Sequence, residues 1–158
     1  EYSYSIVSFV DKSKKSLEIV KRNSQNFSLL ERSKFINLNW KDRDWDKKLM
    51  TIENNIKFDI VISNPPYIPT DEIKKLKKEV KEHDPIVALN GGKDGLEAYR
   101  SILFKLINII KPNGKIFFEI GKGQKNLVTS IAINNGFVPK AYKRDLSGVT
   151  RVLMFMVK

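Results

Sequence analysis

Short runs of β-branched and aromatic residues alternate with helical periodicity along this chain until Gly136, after which two such runs follow one another with no helix between them. That order constrains the fold more than any other feature. Strand and helix in alternation give parallel neighbours covered by helices, whereas a closing pair without a crossover pairs antiparallel. The chain therefore reads as α/β, with a mostly parallel sheet and an antiparallel terminal strand.

The first strand falls at residues 5–10 and ends at Asp11; Ser13 then stands as an N-cap before a helical pattern of Leu17, Ile19, Val20 and Phe27. A second strand at 35–38 gives way to a polar stretch, 39–48, which holds Trp40 and Trp45 and reads as a surface connection. Phe58–Ser63 is a buried-strand candidate. Thr70 or Asp71 is placed to cap a charged helix to about Lys81, Asn90-Gly91-Gly92 marks a long loop, and Asp94 caps a helix that stops at Lys111-Pro112-Asn113-Gly114. A strand at 115–120, a helix over 121–135 closed by Gly136, and strands at 137–142 and 151–157 complete the pattern.

Composition removes several chemistries. The sequence has no cysteine and one histidine, His83, which excludes disulfides, thiolate nucleophiles and a multi-histidine metal site. No metal is expected. No apolar run reaches the 18 or so residues of a membrane span, so no membrane partner is expected either and the protein is placed in the cytoplasm. Lys and Arg number 29 against 18 Asp and Glu, a net charge of +11 that raises nucleic acid as a partner. It is not favoured, because the excess is mostly lysine in a chain also rich in Ile and Asn. The densest lysine run, Lys74 to Lys81, is interleaved with Glu72, Glu79, Ile73, Leu76 and Val80 at the spacing of a solvated helix face.

The run Phe58–Ser63 stops at Asn64-Pro65-Pro66-Tyr67, because neither proline can donate to a ladder. The motif thus lies at the carboxyl end of a strand, where open α/β sheets bind ligands. Each proline ring fixes φ near −65° and restricts the residue before it, so the carbonyls of Asn64 and Pro65 are held in set directions. A planar NH₂ group needs such acceptors. If the Asn64 side-chain oxygen and the Pro65 carbonyl each accept one of its N–H groups, the nitrogen is oriented and its lone pair drawn out of conjugation toward an electrophile. Tyr67 can stack on the planar group. The plainer alternative is a Pro-Pro turn with an aromatic packed on it.

Asn64-Pro65-Pro66-Tyr67-Ile68-Pro69 is followed by Glu82-His83-Asp84-Pro85, by Ala88-Leu89-Asn90-Gly91-Gly92-Lys93-Asp94-Gly95-Leu96 and by Tyr99-Arg100. Glu119-Ile120-Gly121 with Gln124, and Asp145-Leu146-Ser147-Gly148 before Arg151-Val152, come after them. With these motifs the chain resembles the class I, Rossmann-like, S-adenosyl-L-methionine-dependent methyltransferases that carry NPPY, and within them the release-factor glutamine N5-methyltransferases. The resemblance implies transfer of a methyl group to a glutamine side-chain nitrogen in a peptide-chain release factor. It implies Asn64, Pro65 and Tyr67 as the catalytic residues, with Pro66 beside them in the substrate site, and Asp11, Asn39, Trp40 and Asn64 at the cofactor. Asp11 would take the ribose hydroxyls and Trp40 would lie against the cofactor. Asn39 stands where the family usually has Asp, and Trp45 rivals Trp40.

Glu119 ends a strand near this site, but an amide nitrogen is far too weak an acid to be deprotonated beforehand, so Glu119 is read as a support for the motif loop rather than a base. His83 beside Asp84-Pro85 reads as a surface or capping residue. The family's first strand, its Gly-rich loop and its N-terminal helical substrate domain have no counterpart here, since no glycine precedes Gly91. The chain is thus expected to be a partial catalytic domain over residues 1–158, weak in cofactor binding and turnover by itself. Two alternatives stay open: an amino-methyltransferase for DNA adenine N6 or RNA guanine N2, and an inactive fragment or interaction module.

Overall fold

The computed structural model describes residues 4–75 and 85–158. The chain forms two compact units, Glu1–Ile52 and Glu53–Lys158. The first holds β1 (Val7–Asp11), α1 (Lys14–Asn26), β2 (Ser33–Asn37) and α2 (Trp45–Ile52). β1 and β2 pair in parallel from Val7↔Ser33 to Asp11↔Asn37, and Phe9 and Phe35, directly opposite, stack with centroids 5.8 Å apart. Ser13 caps α1 as its sequence position predicts, its hydroxyl accepting the Ser16 N–H at 3.2 Å. Leu17, Ile36, Leu38, Trp45 and Leu49 are the buried apolar residues of this unit.

The second unit holds β3 (Phe58–Ser63), α3 (Thr70–Ile73), α4 (Ile86–Leu89), α5 (Glu97–Ile109), β4 (Ile110–Glu119), α6 (Lys125–Asn134), β5 (Phe137–Arg144) and β6 (Thr150–Val157). Its sheet runs β3-β4-β6-β5, with β3 parallel to β4 and β6 antiparallel to both of its neighbours. Alternate residues of the central strands, Ile116 and Phe118 of β4 and Leu153 and Phe155 of β6, are buried, as a pleated strand with one covered face requires. Ala98, Tyr99, Ile102, Leu103 and Leu106 of α5 and Val128 and Ala132 of α6 are buried as well, and the Tyr99 ring meets Phe118 edge-on at 5.6 Å.

The α/β class and the antiparallel end match the sequence reading, with six corrections. β3 is not a buried strand, since Ile60 and Ile62 are exposed, and Asp94 does not cap α5, whose N-cap is Leu96. The stretch over 39–48 is not wholly a surface connection, because α2 begins at Trp45, which is 5% exposed. Neither Thr70 nor Asp71 caps α3: Pro69 is its N-cap and the Thr70 hydroxyl donates to the Asn90 side chain at 3.0 Å. The expected long loop contains the single turn α4. The helix expected from Gly121 starts at Lys125, since residues 121–124 form a turn with a task of its own. The charged helix beyond Lys75, and with it Glu82, His83 and Asp84, lies outside the described residues.

Phe155, wholly buried in β6, and Leu146, wholly exposed in the β5–β6 turn, make a direct test of this core. Phe155→Ala is expected to cost about 3–5 kcal/mol in chemical denaturation. Leu146→Ala should stay within about 0.5 kcal/mol of wild type. Equal losses would place the core elsewhere.

Candidate active site

β3 ends at Ser63, and the loop that follows is sewn to a second segment by backbone hydrogen bonds. Ile68 donates to the Leu89 carbonyl at 3.0 Å, its own carbonyl accepts from Gly91 at 2.9 Å, and Thr70 donates to Gly92 at 2.9 Å. The two segments touch. A Cβ built on Gly91 would sit 2.8 Å from the Pro66 carbonyl oxygen and from the Tyr67 Cα, and one on Gly95 would sit 2.4 Å from the Tyr67 carbonyl oxygen. Gly95 also has φ +74, so it is glycine for both space and torsion.

Tyr67 is held at its ring as well. Burial pushes its hydroxyl above the ordinary tyrosine pKa, and Glu119, by charge and as an acceptor for that hydroxyl, pushes the same way, while Arg151 pulls back. Glu119 is itself tied down, its carbonyl accepting from the buried Tyr99 hydroxyl at 2.8 Å. Arg151 donates through Nε to Asp145 at 2.9 Å, which holds that carboxyl below the usual range. The other Asp145 oxygen accepts the Ser147 and Val149 N–H groups at 2.9 Å each, closing the turn between β5 and β6.

Gln124 had no role in the sequence reading beyond its place in a pattern. Its amide nitrogen donates to the Tyr67 carbonyl at 3.0 Å and to the Gly95 carbonyl at 3.2 Å, and its oxygen accepts the Gly121 N–H at 2.9 Å. Tyr67, Gly95 and Gly121 stand on three different segments. No periodicity marks such a residue; its only local signal is a buried-type position held by a long amide just after Gly121-Lys122-Gly123.

Along the loop, the Tyr67 carbonyl is taken by Gln124, that of Ile68 by Gly91 and that of Pro69 by Glu72. Among the described residues, no hydrogen bond reaches the Asn64 side chain or the Pro65 carbonyl. Asn64 is exposed and Pro65 buried. The two acceptors that the sequence singles out are thus open among the described residues, as is the Pro66 carbonyl, whereas the carbonyls of Tyr67, Ile68 and Pro69 are taken.

The other expected site residues stand in the first unit. Asp11 closes β1; its Oδ1 accepts the Ser13 N–H at 2.7 Å, and its carbonyl accepts from Leu38 at 3.1 Å and from the Asn37 amide at 3.0 Å. Asn39 accepts the Lys41 N–H at 3.0 Å, and Trp40 is half-buried with the Lys41 ammonium 5.4 Å from its ring centroid. Trp45, buried in the core, has no ring face to offer a ligand. Among the described residues there is no cluster of three metal-binding side chains, and no helix long and apolar enough to cross a membrane.

Residues 4–123 match the family model described as Eco57I restriction-modification methylase. The chain is 41% identical over 144 residues to the release factor glutamine methyltransferase of Clostridium acetobutylicum, covering 91% of this chain and 48% of that protein. It spans about half the length of that relative. Among solved structures, a methyltransferase from Pyrococcus furiosus superimposes with TM-score 0.66 at 17% identity, covering 98% of this chain and 65% of that one. An O-methyltransferase from Bacillus cereus in complex with SAH superimposes with TM-score 0.53 at 12% identity, covering 97% and 63%. These likenesses show the class I methyltransferase fold.

Two measurements test the geometry. Gly91→Ala drives a methyl group into backbone, whereas Gly123→Ala meets no atom within 4 Å and bears only the strain of φ +84. Gly123→Ala should cost about 1 kcal/mol, and Gly91→Ala clearly more in the same unfolding assay. A tyrosine-selective NMR titration should find Tyr67 ionising above the ordinary value of about 10, with Glu119→Gln moving it down. The fold favours the neutral phenol, so this stability is present below the ordinary value and lost as pH rises through the raised one. An unchanged titration in Glu119→Gln would break the Tyr67–Glu119 link.

Proposed function

The chain belongs to the family described by the Eco57I restriction-modification methylase model, and from its site geometry together with its 41% identity to a release factor glutamine methyltransferase we propose that the protein transfers the methyl group of S-adenosyl-L-methionine to the side-chain nitrogen of a glutamine in a peptide-chain release factor. The observation that carries this reading is the pair of open acceptors, the Asn64 side-chain oxygen and the Pro65 carbonyl, on a loop that is held in place through its Tyr67, Ile68 and Pro69 carbonyls. A primary amide presents two N–H groups in one plane. Two fixed acceptors take one each and set the plane of the nitrogen, while Tyr67 stacks on the amide face.

The residues of the first unit fit the cofactor. The second Asp11 oxygen, Oδ2, takes no hydrogen bond among the described residues and suits a ribose hydroxyl; the Asn39 oxygen keeps a lone pair for an amino group; the half-buried Trp40 offers a ring. When bound, S-adenosyl-L-methionine supplies a sulfonium methyl group, an electrophile strong enough to need no pre-formed anion. Asn64 and Pro65 hold the two N–H groups and leave the lone pair perpendicular to the amide plane. Transfer of that methyl group would form the N–C bond as the S–C bond breaks, leaving S-adenosylhomocysteine, and the nitrogen held by Asn64 and Pro65 would then release one proton to solvent. Glu119 stays with Tyr67 and abstracts nothing in this scheme.

The substrate assignment draws on the name of the Clostridium relative. A release-factor substrate would be met where translation terminates, which supports the cytoplasm as the proposed location. The DNA or RNA reading, supported by the +11 charge and by the restriction-modification name of the family model, is not favoured. The test is label transfer from S-adenosyl-L-methionine by the full-length protein, with release factor and structured RNA offered in parallel. Label is expected on a release-factor glutamine, reduced about 100-fold by Asn64→Ala, the scale of losing one oriented hydrogen bond at a reacting group. Label on RNA alone, or an Asn64→Ala rate equal to wild type, would overturn the proposal.

A further inference from the structure

The Gln124 amide is 8% exposed and ties three segments together, the loop after β3 at Tyr67, the loop before α5 at Gly95 and the end of β4 at Gly121. Its orientation has one chemical solution, because two partners are carbonyls and the third is an N–H. Two features transmit that anchoring to the open acceptors. Peptide planarity and the locked φ of Pro66 leave only the ψ of Pro66 and the torsions of Tyr67 between the Pro65 carbonyl and the Tyr67 carbonyl. A Cβ on Gly121 would lie 3.0 Å from the Tyr67 ring and 2.9 Å from the Gln124 oxygen, so the ring, the amide and the β4 terminus are in contact.

We propose that Gln124 is a positioning residue for methyl transfer: by pinning the Tyr67 carbonyl to Gly95 and Gly121, it fixes the direction in which the Pro65 carbonyl meets the substrate nitrogen. The inference rests on the reading of Asn64 and Pro65 as the acceptors of that nitrogen. Gln124 touches neither substrate nor cofactor in it. Its contribution is to kcat, because a misdirected acceptor binds the amide without presenting the lone pair in line.

Gln124→Glu is the informative variant. The shape is kept and the Gly121 N–H still finds an acceptor, but a carboxylate faces the Tyr67 and Gly95 carbonyls where an NH₂ group stood. Burial and those two carbonyls raise the pKa of the introduced carboxyl, and once protonated it can donate to one of them. In the full-length protein, kcat is expected to fall by about tenfold to 100-fold at pH 8, with KM for S-adenosyl-L-methionine unchanged. The deficit relative to wild type should shrink as pH is lowered toward 6. Gln124→Asn, one methylene shorter and uncharged, should show the fall without the pH rescue, and it carries the kcat comparison if Gln124→Glu does not fold.

Amide hydrogen exchange at Ile68, whose N–H donates to the Leu89 carbonyl just beyond Tyr67, supplies a readout that needs no substrate. It should accelerate in both variants while β6 stays protected. A variant that keeps wild-type kcat across the pH range, or unchanged exchange at Ile68, overturns the proposal. Absence of label from the wild type on every substrate sinks the function proposed above, and the exchange measurement still decides the role of Gln124.

Discussion

Two consecutive prolines at the end of a strand set the terms for the rest of the site. Pro65 and Pro66 have no N–H, so the chain leaving β3 can neither continue the ladder with β4 nor close a hydrogen-bonded turn on itself at those residues. Such a segment takes a defined shape only if other segments supply its partners. The residues from Leu89 to Gly92 run beside it and exchange hydrogen bonds with Ile68 and Thr70, and Gln124 takes Tyr67. The glycines follow from the same constraint. Two backbones that touch leave no room for a Cβ at Gly91 or Gly95. One rigid dipeptide thus accounts for the Asn90-Gly91-Gly92 loop and for the turn that delays α6 to Lys125.

The buried ties at this site are neutral, and the ionic ones lie further out. Tyr99 to Glu119 and Gln124 to its three partners are hydrogen bonds between uncharged groups, which gain strength in a dry environment without the desolvation cost of an ion. Asp94 and Arg100, by contrast, are about half-exposed; the guanidinium holds the carboxyl down to about 2, yet a pair in water contributes little stability. Asp94 matters more as the acceptor of the Leu96 N–H at the entrance to α5. Asp145 likewise spends one oxygen on two backbone N–H groups of its own turn and the other on Arg151, so it shapes the β5–β6 connection and aims a cation at the Tyr67–Glu119 pair.

What the sequence made legible was whatever depends on local pattern. Strands β1 to β4 and β6, the Ser13 cap, the stop at Gly136 and the position of Asn64 at a strand end all follow from alternation, propensity or the absence of an N–H. The failures share a cause too. α2 was hidden because the residues from Trp45 to Lys48 read as polar, and its buried face, Trp45, Asp46 and Leu49, emerges only when tertiary contacts choose which side is covered. Thr70 or Asp71 reads as a cap because capping is the commonest local use of such side chains, but the Thr70 hydroxyl goes instead to Asn90, twenty residues away. Gln124 escaped for the same reason in stronger form. Its partners lie 3, 29 and 57 residues away, and no window along the chain contains them together.

Methylation of an amide nitrogen, the reaction proposed for this protein, asks for direction more than for acid–base power, and neutral acceptors at Asn64 and Pro65 would suit that demand. A base strong enough to deprotonate an amide would be incompatible with water, whereas two neutral acceptors held in place before the substrate arrives need no reorganisation when it binds. Holding them open has its own demand. A free carbonyl beside a flexible loop would find an internal N–H and close on it; the prolines remove the nearest donors, and the N–H groups of Ile68, Gly91 and the Gln124 amide are spent on the carbonyls of Leu89, Ile68 and Tyr67. The hydrogen bonds that look merely structural in this loop therefore keep the Pro65 carbonyl and the Asn64 amide unspent, and an acceptor left unspent by the fold is what a substrate N–H can take.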